Sequence, residues 1–294
     1  MRNIVVRTIT FFVGVPALIA VILLLPHQNH LAVNVIAVTA SALGARELSL
    51  LFGHPDTDYR ASFVTIPLLG ATIPFTQVLV VNGLLPQVAV QVVMYLAVAA
   101  ILLLQLVRRE DEGFEHALSN TAASITLLLY PGLFISYVVR MTGLQHAGPL
   151  MLTFLCMVFF NDTMAYLSGV FYRNVRERRA AQMGVTWKPR VVLPVSPKKT
   201  LVGFAGGLLM SPATLIAAHL LFPREIPGRI WQLALVGLAV GVATILGDLI
   251  ESALKRSATR KDSGSLIPGR GGVLDSIDSV LYAAPVFFYL LGIV

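Results

Sequence analysis

From end to end the chain repeats one pattern: an apolar run of about twenty residues, then a short polar break. A helix rises 1.5 Å per residue, so about 20 apolar residues cross a ~30 Å hydrocarbon core. Nine stretches meet that requirement, at residues 9–25, 31–52, 63–81, 86–107, 119–139, 147–171, 201–222, 230–254 and 277–294. They do not alternate apolar and polar positions, which excludes a transmembrane β-barrel. The pattern predicts an all-α polytopic integral membrane protein of about nine transmembrane helices. The third span contains Pro67 and Pro74 and is expected to be kinked or broken. The first follows Arg2 and Arg7, but Pro26-His27-Gln28-Asn29 after it lacks a small-residue cleavage pattern, so it is expected to be retained.

Composition agrees with the pattern. Of 294 residues 56% are hydrophobic and 13% charged, with mean hydropathy +0.79. Soluble chains carry about 25% charged residues. A soluble domain and a disordered chain are therefore excluded, and the single Cys156 excludes a disulfide scaffold. Charge placement gives the orientation. With the amino terminus in the cytoplasm, 19 of the 22 Lys and Arg residues fall on the cytoplasmic side, and only Arg140, Arg224 and Arg229 fall outside. Two connections are especially basic. Residues 172–200 hold Arg173, Arg176, Arg178, Arg179, Lys188, Arg190, Lys198 and Lys199; residues 255–276 hold Lys255, Arg256, Arg260, Lys261 and Arg270. Anionic lipid attracts such residues by about 1 kcal/mol each.

Most acids are ordinary solvated loop charges: Asp56, Asp58, Glu110, Asp111, Glu112, Glu115, Glu177 and Glu225. Glu47 beside Arg46 reads as a snorkelling pair with no further role. Five others stand within or at the ends of apolar spans: Asp162, Asp248, Glu251, Asp275 and Asp278. One acid at the bilayer centre costs roughly 2.5–3.5 kcal/mol, so these face a polar partner or cavity. Asp248, Glu251, Ser252 and Lys255 share one helix face, as do Asp275 and Asp278. Converging carboxylates repel one another unless cations sit between them, and hard oxygen ligands of this kind suit Mg²⁺ or Mn²⁺. Pro268-Gly269-Arg270-Gly271-Gly272 resembles an anion-cradling loop, its backbone N–H groups meeting phosphate at Gly271 and Gly272. Metals, basic residues and such a loop describe phosphoryl or nucleotidyl transfer. The chain has no G-x-x-x-x-G-K-[ST] loop and no H-E-x-x-H. Its six histidines are scattered, and His219 is expected to be a packed helix residue.

The motifs also carry a family resemblance. Ser252-Ala253-Leu254-Lys255-Arg256, Lys261-Asp262 and the run from Pro268 to Ser279 resemble the signature of the phosphatidate cytidylyltransferases. Asp162-Thr163-Met164-Ala165-Tyr166 resembles that family's D-T-G-A-Y. Ser196-Pro197-Lys198-Lys199-Thr200, followed by Gly203, Gly206 and Gly207, resembles its S-P-K-K-T-x-x-G-x-x-G-G. Gly247-Asp248 with Glu251-Ser252 is similar to its G-D-x-x-E-S. The matching blocks run in order from Asp162 to Ser279, while the first five spans add only hydropathy.

The resemblance implies transfer of CMP from CTP to phosphatidate, giving CDP-diacylglycerol and pyrophosphate with a divalent metal. On this view two metal ions sit between Asp248 and Asp275, with Asp278 as a further metal ligand or orienting partner. Lys198, Lys199, Lys255, Arg256 and Lys261 hold phosphates, Asp162 and Ser196 serve nucleotide or metal, and Asp262 positions Lys261. The expected partners are CTP, phosphatidate or a related anionic lipid, and the bilayer, with no nucleic acid; a homodimer is compatible with the sequence. The expected location is the bacterial inner membrane, with the site facing the cytoplasm and carried by residues 147–294, while residues 1–146 form the first five helices. Three positions depart from the family pattern: Arg270 stands for histidine, Ser276 for arginine and Met164 for glycine. The connection from Tyr172 to Ser196 is also long for the family. A CTP-dependent polyprenol kinase-like enzyme, a noncatalytic paralogue and an ion-coupled transporter are the alternatives; the chain shows none of the internal repeats common in transporters.

Overall fold

In a computed structural model of the chain, residues 2–52, 65–106, 117–187 and 191–293 are described, with side chains from Phe12 onward in the first helix and from Pro67 in the third. Asp56, Asp58, Glu110, Asp111, Glu112, Glu115, Lys188 and Arg190 lie outside the described residues. Among those described there are nine apolar helices: α1 (Arg2–Leu24), α2 (His27–Phe52), α3 (Thr65–Val81), α4 (Val88–Leu103), α5 (Ala117–Thr142), α6 (Ala147–Gln182), α7 (Leu201–Leu221), α8 (Ile230–Ser257) and α9 (Leu274–Leu291). Six are long and apolar enough to cross a membrane, and α1, α3 and α4 contribute shorter apolar segments. The chain is an all-helical polytopic membrane protein, as its hydropathy predicts.

One of the two outcomes expected of the third span, a break, is not seen, and one boundary differs from expectation. Helix α3 is not broken, because Pro67 sits in its first turn, where a missing N–H is tolerated. Pro74 lies inside the helix and leaves the Gly70 carbonyl without its i+4 donor. The Ser41 hydroxyl of α2 takes that place, 2.7 Å from Gly70 O and 2.8 Å from Pro131 O in the π-type turn of α5 (Leu128–Leu133). Helix α6 does not stop at Phe171 but continues to Gln182, 36 residues or roughly 54 Å at 1.5 Å per residue. Arg173, Arg176, Arg178 and Arg179 thus ride on a rigid helical extension instead of a loop.

The motif-bearing helices α6 to α9 are packed closely against one another. Without a hydrophobic driving force between helices in lipid, small residues at the contacts set how near two backbones come. Gly203 and Gly207 of α7 face Ala165 and Asn161 of α6, and Gly247 of α8 lies against the Asp278 carbonyl of α9. The G-x-x-G-G run is therefore a helix-packing surface. Gly237 of α8 abuts the Pro212 backbone of α7 so closely that a methyl group would overlap it. Gly237→Ala is expected to destabilise the fold by about 1–3 kcal/mol, read as a lower melting temperature in detergent. An unchanged melt would refute this packing. Beneath the site, Phe154 of α6 stacks against Phe287 of α9, with ring centroids 5.3 Å apart.

Candidate active site

Charged side chains gather where α6, α8 and α9 meet the loops 192–200 and 258–273. Thr200 caps α7, its Oγ1 accepting the Gly203 N–H at 3.0 Å. That cap fixes the residue before it, so Lys199 reaches across to form an ion pair with Asp248 of α8. One turn on, Ser252 Oγ lies 3.4 Å from Asp248 Oδ1. A further turn on, Lys255 pairs with Glu251, whose residue is 0% exposed, and with Asp275 Oδ1 at 2.5 Å. The shared helix face expected of Asp248, Glu251, Ser252 and Lys255 is what the structure shows.

Asp162, Asp248 and Asp278 come from three helices and interact electrostatically with one another; Lys199 and Arg270 act on Asp162 in the opposite sense. Asp278 Oδ1 accepts the Ser279 N–H at 2.6 Å. In formal charges, five acids (Asp162, Asp248, Glu251, Asp275 and Asp278) face three bases (Lys199, Lys255 and Arg270). The centre therefore carries an excess of carboxylate. Lys198, Arg256, Lys261 and Asp262 are exposed around it and Ser196 is half-buried. Arg256 donates to the Arg260 carbonyl at 3.1 Å. Neither Asp262 nor Lys261 forms an ion pair among the described residues, so no bond supports the expected positioning of Lys261 by Asp262.

At two expected positions the structure shows partners within the protein. Asp275 is engaged on both carboxylate oxygens. Its Oδ1 is held by Lys255, while its Oδ2 accepts the N–H groups of Ser263 at 2.9 Å and Gly272 at 2.7 Å, and lies 2.9 Å from Ser263 Oγ. It shapes the loop. The loop, in turn, is not an open anion cradle. The N–H groups of Arg270 and Gly271 donate to the Ile267 carbonyl, and that of Gly272 to Asp275. Gly271 adopts φ +104°, which favours glycine and closes this turn. The N–H groups meant for phosphate are spent on the protein itself.

Glu47, to which the sequence alone assigns no role, shapes the site. It is 6% exposed and accepts the N–H groups of Val273 at 3.0 Å and Leu274 at 2.8 Å, with Ser263 Oγ at 3.1 Å. It thus caps the amino terminus of α9 from α2, where a carboxylate also meets the positive end of the helix dipole. Tyr130 of α5 is a second such residue. Its buried hydroxyl has no hydrogen-bond partner among the described residues and lies within electrostatic reach of Asp278, Glu251 and Asp248.

The model of the cytidylyltransferase family matches residues 5–294. The chain belongs to that family. Among curated relatives, the family resemblance extends to the phosphatidate cytidylyltransferase of Bacillus subtilis, 33% identical over 166 residues, 56% of each chain. The phosphatidate cytidylyltransferase of Synechocystis is 47% identical over 102 residues, covering 33% of this chain and 32% of that one. The uncharacterized protein YnbB of Escherichia coli is 33% identical over 184 residues, covering 62% of this chain and 56% of that one. The chain spans about half the length of the Escherichia coli and Bacillus subtilis relatives, 56% of each, and about a third of the Synechocystis protein.

Proposed function

We propose that this protein transfers CMP from CTP to the phosphate of phosphatidate, releasing pyrophosphate and forming CDP-diacylglycerol. The observation that carries the reading is the convergence of Asp162, Asp248 and Asp278 with Lys199, Lys255 and Arg270 at the end of a membrane-embedded helix bundle. Family membership supports a cytidylyl donor, and the names of the relatives support this lipid acceptor.

In the reaction, an oxygen of the lipid phosphate attacks the α-phosphorus of CTP. The new O–P bond forms as the bond from the α-phosphorus to the bridging oxygen breaks, and pyrophosphate leaves with that electron pair. The attacking phosphate is already ionised near neutral pH, so no strong base is required. The obstacle is repulsion between two polyanions, which fixed positive charge lowers. Lys199 and Arg270 stand beside the carboxylates where the phosphates would meet, and the exposed Lys198, Arg256 and Lys261 extend the positive field outward. The hard oxygen donors and the excess of carboxylate charge fit a divalent cation. Asp162, Asp248 and Asp278 come nearest to that role, because Asp275 is engaged by the loop, although among the described residues no three such groups lie close enough together to hold a metal ion. When bound, such an ion neutralises phosphate oxygens and the leaving group. The basic ends of the helices support a site on the cytoplasmic face under the positive-inside rule.

The test is purified full-length protein with Mg²⁺, CTP and phosphatidate, scored for pyrophosphate and CDP-diacylglycerol. Both products are expected. CDP with a newly phosphorylated lipid would indicate a kinase instead, and no turnover under lipid conditions where a known synthase works would overturn the reading.

A further inference from the structure

Beside the charged cluster lies a cavity of about 440 Å³, within the ~300–1,000 Å³ typical of ligand pockets. Its walls are apolar almost throughout and come from both halves of the chain. Helix α1 supplies Gly14 and Leu18, α2 supplies Ala37 and Ala40, and α6 supplies Met151, Phe154 and Phe159. Its polar lining is Arg270 and Ser276. These are two of the three positions where the chain departs from the signature that it resembles.

The placement is directional. Along α6 the wall runs from Met151 to Phe159, roughly 12 Å, and Asp162 follows three residues further, about one turn. On α9 it runs from Val280 back to Ser276, between the two acids of that helix. Arg270 both lines the cavity and interacts electrostatically with Asp162. At the rim Gly14 is exposed, and a Cβ built there would meet nothing within 4 Å, so this side is open. An apolar slot with a cation at its inner end and an opening beside α1 is complementary to a molecule with a hydrocarbon tail and an anionic head.

We propose that this cavity takes one hydrocarbon chain of the lipid acceptor and that Arg270 holds the lipid's phosphate. This rests on the transfer reading for its choice of lipid. The site reads the lipid with two parts. The slot selects for a long chain by burying apolar surface, and the guanidinium selects for phosphate with its planar fork of donors. Arginine at 270 and serine at 276 line one space, so the cation missing at 276 is supplied from the loop, with the small serine leaving room for the guanidinium.

Binding can be read without turnover by using full-length protein, no CTP, and phosphatidate carrying a photoreactive diazirine on one acyl chain. Labelling is expected on α1, α2 or α6 residues of the cavity, with dipalmitoyl phosphatidate competing at least about tenfold better than its dibutanoyl form. Gly14→Phe and, independently, Ala40→Phe should each fill the slot and reduce labelling about tenfold. Arg270→Gln should weaken competition by phosphatidate about tenfold while leaving competition by diacylglycerol unchanged. Labelling outside the cavity, equal competition by long and short chains, or full labelling of both folded filling variants would overturn the proposal. Specific labelling in a protein that makes no CDP-diacylglycerol supports the slot while removing the transfer reading. Turnover with labelling indifferent to these changes removes the slot and leaves the transfer reading intact.

Discussion

Asp248→Asn is expected to lower pyrophosphate release by about a thousandfold, with binding of CTP or lipid affected far less. The carboxylate does two things that the amide cannot. It holds Lys199 through an ion pair and it contributes to the charge that Asp162 and Asp278 share. Asparagine keeps the size and one acceptor oxygen, so the helix contact of Gly247 with α9 should survive. Lys199 would lose its anchor, and the acid cluster one of its charges. The measurement is kcat with CTP and phosphatidate beside a melting curve of the same preparation. A variant that folds and retains more than about a tenth of parental kcat would show that Asp248 lies outside the chemistry.

Glu47→Ala should be nearly as damaging, but through structure. Two backbone N–H groups, of Val273 and Leu274, would be left buried without an acceptor, and Ser263 would lose one of its two carboxylate neighbours. Hydrogen bonds to a charged group contribute about 1.5–3 kcal/mol each, so a loss on the order of 4 kcal/mol is expected. The loop bearing Arg270 and the first turn of α9 would loosen together. A large fall in melting temperature and loss of turnover are the expected readouts, with Glu47→Gln recovering part of both because it keeps one acceptor oxygen. A Glu47→Ala protein as stable as the parent would refute the capping role.

The nine helices were legible because a bilayer imposes a length on apolar runs, and a run of twenty residues declares itself without knowledge of its neighbours. The end of α6 was not. Arg173, Arg176, Arg178 and Arg179 look like a loop to a hydropathy reading, although they favour helix as readily as Leu or Met. The acids of α8 were placed correctly by helical spacing alone, since Asp248, Glu251 and Lys255 depend on contacts along one face. The roles within 263–275 were harder. Spacing puts Asp275 and Asp278 on one side of α9 but cannot show that Asp275 turns into its own loop. Glu47 meets its partners across more than 200 residues, and two of them are backbone N–H groups that leave no mark in a sequence. One signal was available: an acid between Ala45 and Leu48, inside an apolar span, needs a partner that the neighbouring Arg46 need not supply.

The hydroxyl of Ser41 has a single proton and two carbonyls within reach, one exposed by a proline in α3 and the other in the widened turn of α5. Three helices consequently share one small polar residue, and their tolerance for sequence change is shared as well. A bulky or apolar residue at 41 would remove this donor from both carbonyls at once. Replacement of Pro74 by a residue with an N–H would relieve only the first. Drift at positions far apart in the chain is thus tethered to a single oxygen atom.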